Sequence, residues 1–177
     1  EELAEAMGVD VDEISIYHHK KLHSPITDIT IGLIILTIIM ILTLNFTLVK
    51  VDGPSMQPTL DDGQFILLKK EKVNRLDIAV FKERLTDGGE SKNIVKRVIG
   101  LPGDKVTVID GVLYINDVKY EEKYLDEKRI AQFKLVNFDT IVPEGHYFVL
   151  GDNRDVSQDS RAVGNFTEDS LMGVRIL

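Results

Sequence analysis

Cysteine is absent from the 177 residues, which excludes disulfides, thiolate catalysis and a cysteine-ligated zinc site and leaves the redox compartment without a mark. Histidine is nearly as scarce. Of the four, His18, His19 and His23 precede a long apolar run and only His146 follows it, so a serine–histidine mechanism beyond that run has a single base to draw on. Positive charge is in deficit too: 21 lysines and arginines against 29 acids give a net charge of -8, most of it in the first 28 residues. Nothing in that balance attracts a polyanion, and no nucleic-acid partner is expected.

What is present begins with "ITIGLIILTIIMILTLNFTLV" (29–49), an uncharged run fenced by Asp28 and Lys50. As a helix it rises about 31 Å, close to the hydrocarbon thickness of a bilayer. It lacks the short core and small-residue ending of a cleavable signal and follows a long polar segment, so it reads as a permanent single-span anchor whose partner is the lipid bilayer. Lys20 and Lys21 before the run, against Lys50, Lys69 and Lys70 after it, leave orientation undecided by the positive-inside rule. The chain thus divides into a segment 1–28, an anchor 29–49 and a domain 50–177. Residues 1–21 offer two short helical pieces around Gly8, a faint likeness to a helix-turn-helix. They are acidic and bring no third helix to complete a core, so a solvated membrane-proximal segment is the preferred reading.

Beyond the run the period changes to two. "FILLKK" (65–70), "LDIAVF" (76–81), "NIVKRVIG" (93–100), "KVTVIDGVLYIN" (105–116) and "HYFVLGD" (146–152) are short apolar runs divided by turn residues, which predicts a mainly β domain. Asp110-Gly111 predicts a type I′ hairpin turn, and "GLPGD" (100–104) a type II turn with Gly103 in the left-handed position. The charged stretch 119–132, "KYEEKYLDEKRIAQ", is expected to be an exposed excursion between strands.

Three stretches could carry chemistry. In "VDGPSMQPTL" (51–60), Ser55 fits an ordinary turn as well as a nucleophile, and a nucleophile needs a base within hydrogen-bond reach. His146 alternates with Phe148 and Leu150 on one strand face, the pattern of a structural histidine, which leaves a serine–histidine pair open without supporting it. In "NIVKRVIG" the strand period gives Lys96 apolar neighbours, Ile94 and Val98, on its own face. Arg97 is flanked by Val95 and Ile99 in the same way, but a guanidinium stays protonated, so only Lys96 could accept a proton. An edge lysine whose stem covers apolar surface is the bland alternative. The third stretch, "GDNRDVSQDSRAVG" (151–164), is crowded with acids. Counted as a calcium loop from Asp155 it puts Ser160 at the turn glycine and Phe166 at the final glutamate, so that reading fails and no metal is expected. A self-contained loop, with Asp159 paired to Arg161 or Asp155 to Arg154, fits better.

Taken together and in this order, "SMQPTL", "KRVIGLPGD" and "GDNRDVSQDSR" resemble the type I signal peptidases, membrane-anchored serine proteases of bacteria, over residues from about 50 onward. A single anchor ahead of the nucleophile looks like the Gram-positive branch. The resemblance implies a single transmembrane helix followed by a β-rich catalytic domain of antiparallel sheets, with a cytoplasmic N terminus and an extracellular catalytic domain. It implies no cofactor, and as partners it implies preprotein signal peptides with small residues at the -1 and -3 positions. Carried over residue by residue, Ser55 is the nucleophile, Lys96 the general base, Ser157 a hydroxyl that helps hold the lysine, and Asp159 with Arg161 a supporting ion pair. Val51, Met56, Leu60, Ile94 and Val95 fall where the family lines its two shallow apolar pockets. Gly53 stands where many Gram-negative members place an oxyanion-hole serine, Leu76 where a turn glycine is usual, and Val156 where asparagine is frequent. A catalytically silent, membrane-anchored assembly factor for exported proteins is the rival from another class, and the self-cleaving repressors share a serine and a lysine but no span.

Overall fold

The computed structural model describes residues 25–83, 91–125 and 137–176, and the chain falls into two units that meet between Leu44 and Asn45. The helical pieces around Gly8 and the three early histidines lie outside the described residues.

The first unit carries α1, Pro25–Asn45. Proline suits a first helical position because its missing N–H has no intrahelical partner there. Isoleucine and leucine cover every side of the helix and none of its residues is buried by protein, the distribution of a span meant for lipid. The hydroxyls of Thr30, Thr37 and Thr43 donate back to the carbonyls of Thr27, Leu33 and Met40, so these polar side chains are satisfied within the helix. The helix has the expected 21 residues but sits four positions earlier than the apolar run. Phe46–Lys50 is strand β1, paired antiparallel with β2 (Phe65–Lys69) from Phe46↔Lys69 to Lys50↔Phe65. The period there is already two, since Val49 is buried while Leu48 is exposed, and sheet pairing captures residues that hydrophobicity alone assigns to the span.

The second unit is mainly β, as expected, with every pairing antiparallel. Its larger sheet adds β3 (Ile78–Glu83), β4 (Lys92–Gly100), β9 (His146–Leu150), β10 (Phe166–Thr167) and β11 (Leu171–Arg175) in the order β1-β2-β11-β3-β4-β9-β10. The smaller sheet is β7-β6-β5-β8, from β5 (Lys105–Ile109), β6 (Val112–Ile115), β7 (Val118–Lys119) and β8 (Phe138–Ile141). Both turn expectations are met: Asp110 and Gly111 have φ of 49° and 79°, and Gly103 has φ of 83° with Asp104 N–H bonded to the Leu101 carbonyl. Leu76, where the resemblance puts a turn glycine, takes φ of 74°, a conformation that costs a side chain about 1–2 kcal/mol. Its side chain packs against the core shared with the smaller sheet. The excursion after β7 is an irregular segment as far as Leu125, and 126–132 lies outside the described residues.

Strand β4 organises the unit because both its faces are covered. Val95 packs with Val51, Met56, Leu60 and Ile78; Val98 packs with Phe81 and Val149; Ile99 packs with Val106, Leu113 and Phe148. β3 pairs with β4 along Lys92–Arg97, whereas β9 joins its other side only from Arg97 onward. The edge from Lys92 to Lys96 therefore has no strand beside it among the described residues. At the far end, Gly100 lets the two sheets close on each other: a Cβ there would lie 2.7 Å from Val106 Cγ2, 2.8 Å from Val142 Cγ2 and 3.0 Å from Phe148 Cβ. Gly100→Ala is expected to lower stability by about 1–3 kcal/mol through overpacking, read as a lower Tm in thermal unfolding of the detergent-solubilised protein.

Candidate active site

The site is built from a loop, a strand and a second loop. The first loop, 51–64, joins β1 to β2 and is closed at its base by Val51 N–H to the Gln64 carbonyl (2.8 Å) and Gly63 N–H to the Val51 carbonyl (2.9 Å). Gly53 has φ of 86°, a bend that favours glycine, and its N–H donates to Asp62 Oδ1 at 2.8 Å. Met56 and Leu60, fully buried, pin the following turn, in which Leu60 N–H reaches the Met56 carbonyl. Ser55 sits between these restraints.

From β4, Lys96 places Nζ 2.8 Å from Ser55 Oγ. The lysine is only 4% exposed. Burial, which penalises the ammonium form, is the main cause of a pKa lowered to about 8. Asp159 opposes the shift, while Lys92 and Arg161 assist it. The pair is therefore a hydroxyl and an amine, in contact, with the amine deprotonated at mildly alkaline pH. That arrangement supplies a nucleophile and its base without histidine.

The second loop follows β9. Burial pushes the Asp159 carboxyl up, but the Arg161 guanidinium, bonded through Nε at 2.7 Å and Nη2 at 2.8 Å, and the Gly151 N–H at 3.0 Å hold it below the usual carboxylate range. Asp159 also caps the short helix α2 (Ser160–Val163). Asn153 ties this loop to the first: its N–H donates to the Ser55 carbonyl (3.0 Å) and its Nδ2 to the Pro54 carbonyl (3.1 Å). Gly151 makes the contact close, because a Cβ there would stand 2.5 Å from the Ser55 carbonyl oxygen and inside the Ser157 hydroxyl. The Ser55 N–H donates to no acceptor among the described residues, which leaves it available for an oxyanion.

Arg97 takes the other face of β4 and is held by Asp152 through Nε at 2.9 Å and Nη2 at 2.6 Å, with Thr59 bonded to the same carboxylate. Its Nη1 donates to the Leu76 carbonyl at 2.9 Å, so the strained turn serves as an acceptor. The two flanking cations of "VKRV" thus separate by face: one deprotonates, the other braces.

The structure brings together most of the residues that the sequence singled out. The Asp159–Arg161 pair forms, whereas Arg154 pairs with Glu122 and Asp155 is exposed; an Arg154–Asp155 pair would leave a buried guanidinium without that carboxylate. Ser157 Oγ is buried and lies toward Asp159, whose ionised form it favours, but it makes no hydrogen bond of good geometry, and none joins it to Lys96 among the described residues. Val51, Met56, Leu60 and Val95 share one core cluster. Ile94 packs on the opposite cluster, with Phe81 and Val98, because successive strand residues face opposite ways. His146 bonds its Nδ1 to the Glu144 carbonyl at 2.8 Å and takes no part in the pair. Sequence reasoning missed Gly151 and Asn153, which carry no distinctive chemistry until two loops 99 residues apart meet.

Comparison with known proteins bears on the same residues. The profile of the family described as "Signal peptidase, peptidase S26" matches residues 26–177. Signal peptidase I U of Bacillus subtilis is 39% identical over 163 residues, covering 82% of this chain and 85% of the relative, and signal peptidase I of Streptococcus pneumoniae TIGR4 is 38% identical over 162 residues, covering 71% and 78%. The crystal structure of a signal peptidase I from Enterococcus faecalis superposes with a TM-score of 0.50 at 36% identity, covering 59% of this chain and 97% of that one.

In lysine-labelled protein, NMR is expected to find one side-chain amine titrating near pH 8, well below the ordinary lysine range, and to lose that signal in Lys96→Met. A Lys96 resonance titrating with the exposed lysines would contradict the burial argument.

Proposed function

The chain belongs to the signal peptidase family, peptidase S26, and on that premise we propose that Ser55 and Lys96 form its catalytic dyad. The protein is a serine endopeptidase that removes signal peptides from exported preproteins. The single observation that supports the dyad is the 2.8 Å contact between Ser55 Oγ and a lysine that burial keeps near neutrality.

An extended substrate adds as a strand along the open Lys92–Lys96 edge of β4, which brings its scissile carbonyl to Ser55. Neutral Lys96 takes the hydroxyl proton as Oγ bonds to the carbonyl carbon, and the Ser55 N–H stabilises the oxyanion. Pro54 has no N–H to add, and Gly53 has no hydroxyl. The Lys96 ammonium then gives its proton to the departing amine, and the C–N bond breaks to leave an acyl-enzyme. A water deprotonated by the same amine attacks the ester and releases the signal peptide with Ser55 restored. Asp159 and Arg161 hold the second loop, and the Ser157 hydroxyl, buried beside them, completes the lysine's surroundings. Val51, Met56, Leu60 and Val95, with Ile94 on the strand face that also carries Lys96, line the apolar surfaces against which small -1 and -3 side chains rest.

Domain organisation follows the same reading: a cytoplasmic segment 1–28, a membrane anchor and an extracellular catalytic domain. Because β1 begins directly after α1 ends, Ser55 lies ten positions beyond the last helical residue, Asn45, a reach of roughly 35 Å at most. The nucleophile works close to the bilayer surface, where a membrane-held preprotein presents its cleavage segment. The exposed side chains of Leu48 and Phe65, on one face of the β1–β2 pair, suit that neighbourhood. No observation favours the silent assembly factor.

In a preprotein cleavage assay in lipid vesicles, Ser55→Ala and Lys96→Ala are each expected to lower kcat by at least about a thousandfold. kcat/KM of the unaltered enzyme should rise with pH through about 8, since only the deprotonated amine is a base. Leucine in place of alanine at -1 of the substrate should stop cleavage. Wild-type turnover by either variant refutes the dyad. Orientation is testable with single cysteines, because the chain has none of its own: Glu121→Cys should react with a membrane-impermeant maleimide on intact cells, and Glu5→Cys only after lysis.

A further inference from the structure

Behind the dyad lies a buried polar cluster that the proposed chemistry does not use. Arg154, 5% exposed, sends its guanidinium to three places: Nε to the Gly151 carbonyl (3.0 Å), Nη1 and Nη2 to the Glu122 carboxylate, and Nη2 to the Tyr124 hydroxyl (3.1 Å). Tyr124 also donates to Glu122, and its ring lies under the Arg97 guanidinium, whose carbon is 4.2 Å from the ring centre. Burial, followed by the neighbouring Glu122 carboxylate, raises the tyrosine's pKa, so it stays a neutral donor throughout the working range. Glu122 and Tyr124 come from the irregular segment after β7, on the side of the smaller sheet, so three separate parts of the chain meet at Arg154 and Arg97.

We propose that Glu122 and Tyr124 are positioning residues: they clamp Arg154 and thereby fix the loop that carries Asp159 beside Lys96. The inference rests on the dyad reading above. The connection is continuous. Arg154 holds Gly151 through its side chain and, through its own carbonyl, accepts Arg161 Nη2 at 2.9 Å. Gly151 N–H and Arg161 together hold the Asp159 carboxylate. Gly151 also packs on Ser157 and on the Ser55 carbonyl, so both members of the dyad sense the loop's position. Tyr124 extends the clamp to β4 itself, because its ring lies under Arg97, which follows Lys96 directly on the strand. A glutamate in a charged, irregular excursion thus acts at the base through two hydrogen-bonded guanidinium groups.

The readout is the pH profile as well as the rate. The charges around Lys96 are Asp159, Arg161 and Asp152 from the second loop and Lys92 from its own strand, and Asp159 is the strongest of them. Asp159 favours the ammonium form, but burial is the larger influence, so a loop that recedes admits water to the amine, outweighs the loss of Asp159 and moves the acid limb of kcat/KM to higher pH. A role confined to stability would reduce the amount of folded enzyme and leave the limb in place.

The test uses the full chain in vesicles with a cleavable preprotein, comparing Glu122→Gln, which keeps size and removes charge, with Tyr124→Phe, which keeps the ring under Arg97 and removes the hydroxyl. Lys123→Ala, an exposed neighbour on the same segment, is the control, and Ser55→Ala sets the zero. Glu122→Gln is expected to lower kcat by about tenfold or more through misplacement of the dyad, with KM little changed and the acid limb displaced to higher pH. Tyr124→Phe should act in the same direction by a smaller factor, and it decides the matter alone should Glu122→Gln fail to fold. Folded variants with wild-type kcat and an unmoved limb would overturn the clamp, as would an activity loss that only tracks the folded fraction. Cleavage by Ser55→Ala would instead overturn the dyad beneath it.

Discussion

Desolvation of one amine is the constraint on which the rest of the second unit depends. Bringing Lys96 from its ordinary range to about 8 means a differential penalty on the ammonium of roughly 3 kcal/mol, at 1.36 kcal/mol per pKa unit. A flexible four-carbon stem could escape that penalty by swinging into water. It does not, because β4 is covered on both faces and hydrogen-bonded to β3 along the lysine's own register, opposite Ala79. Ala79 is fully buried and small. The sheet therefore does two things at once: it withholds water from the amine and fixes where its Cα can be.

The cost of that dryness appears around the pair. A buried site rich in backbone carbonyls and carboxylates needs counter-charges, and removing one partner of a buried ion pair is worth several kcal/mol. Here each anion has its cation: Asp152 with Arg97, Asp159 with Arg161, Glu122 with Arg154. These pairs do little for net stability, since desolvation offsets most of their attraction. Their value lies in geometry. Arginine forks fix carboxylates at two points, and each of the three pairs draws at least one member from the loop that also holds the Ser55 carbonyl.

How much of this the sequence discloses depends on the range of each interaction. The strands are legible because alternation and turn chemistry are local: Asp110-Gly111 and Pro102-Gly103 specify their turns whatever surrounds them. Lys96 is legible because only one of two flanking cations can lose its proton. The end of α1 is not, since Phe46 to Val49 are as apolar as the residues before them and only pairing with β2 turns them into strand. The partner of Arg154 is equally hidden. Asp155 is adjacent, while Glu122 is 32 residues away among several acids, and nothing local distinguishes it. Ile94 is hidden for a related reason: it neighbours Val95 in sequence but packs against the other cluster, on the face that carries Lys96. The Leu76 departure, legible as an oddity, becomes intelligible only once Arg97 is found donating to its carbonyl.

Gly53 and Leu76 show how such departures are accommodated. At Gly53 the fold needs a positive φ, and a side chain there would meet no atom within 4 Å, so backbone conformation alone keeps glycine in place. At Leu76 the fold needs the same kind of φ, yet a bulky residue accepts it. The difference is burial: Leu76 places its side chain against the core shared with the smaller sheet, where removing apolar area from water offsets a penalty of about 1–2 kcal/mol, whereas Gly53 has no such core to reach. The same comparison bears on the proposed reliance of the oxyanion site on backbone. A residue two positions before Ser55 sits at a left-handed bend whose N–H is already committed to Asp62, so glycine there keeps the loop closed, and on the proposed dyad the donor left for an oxyanion is the Ser55 N–H.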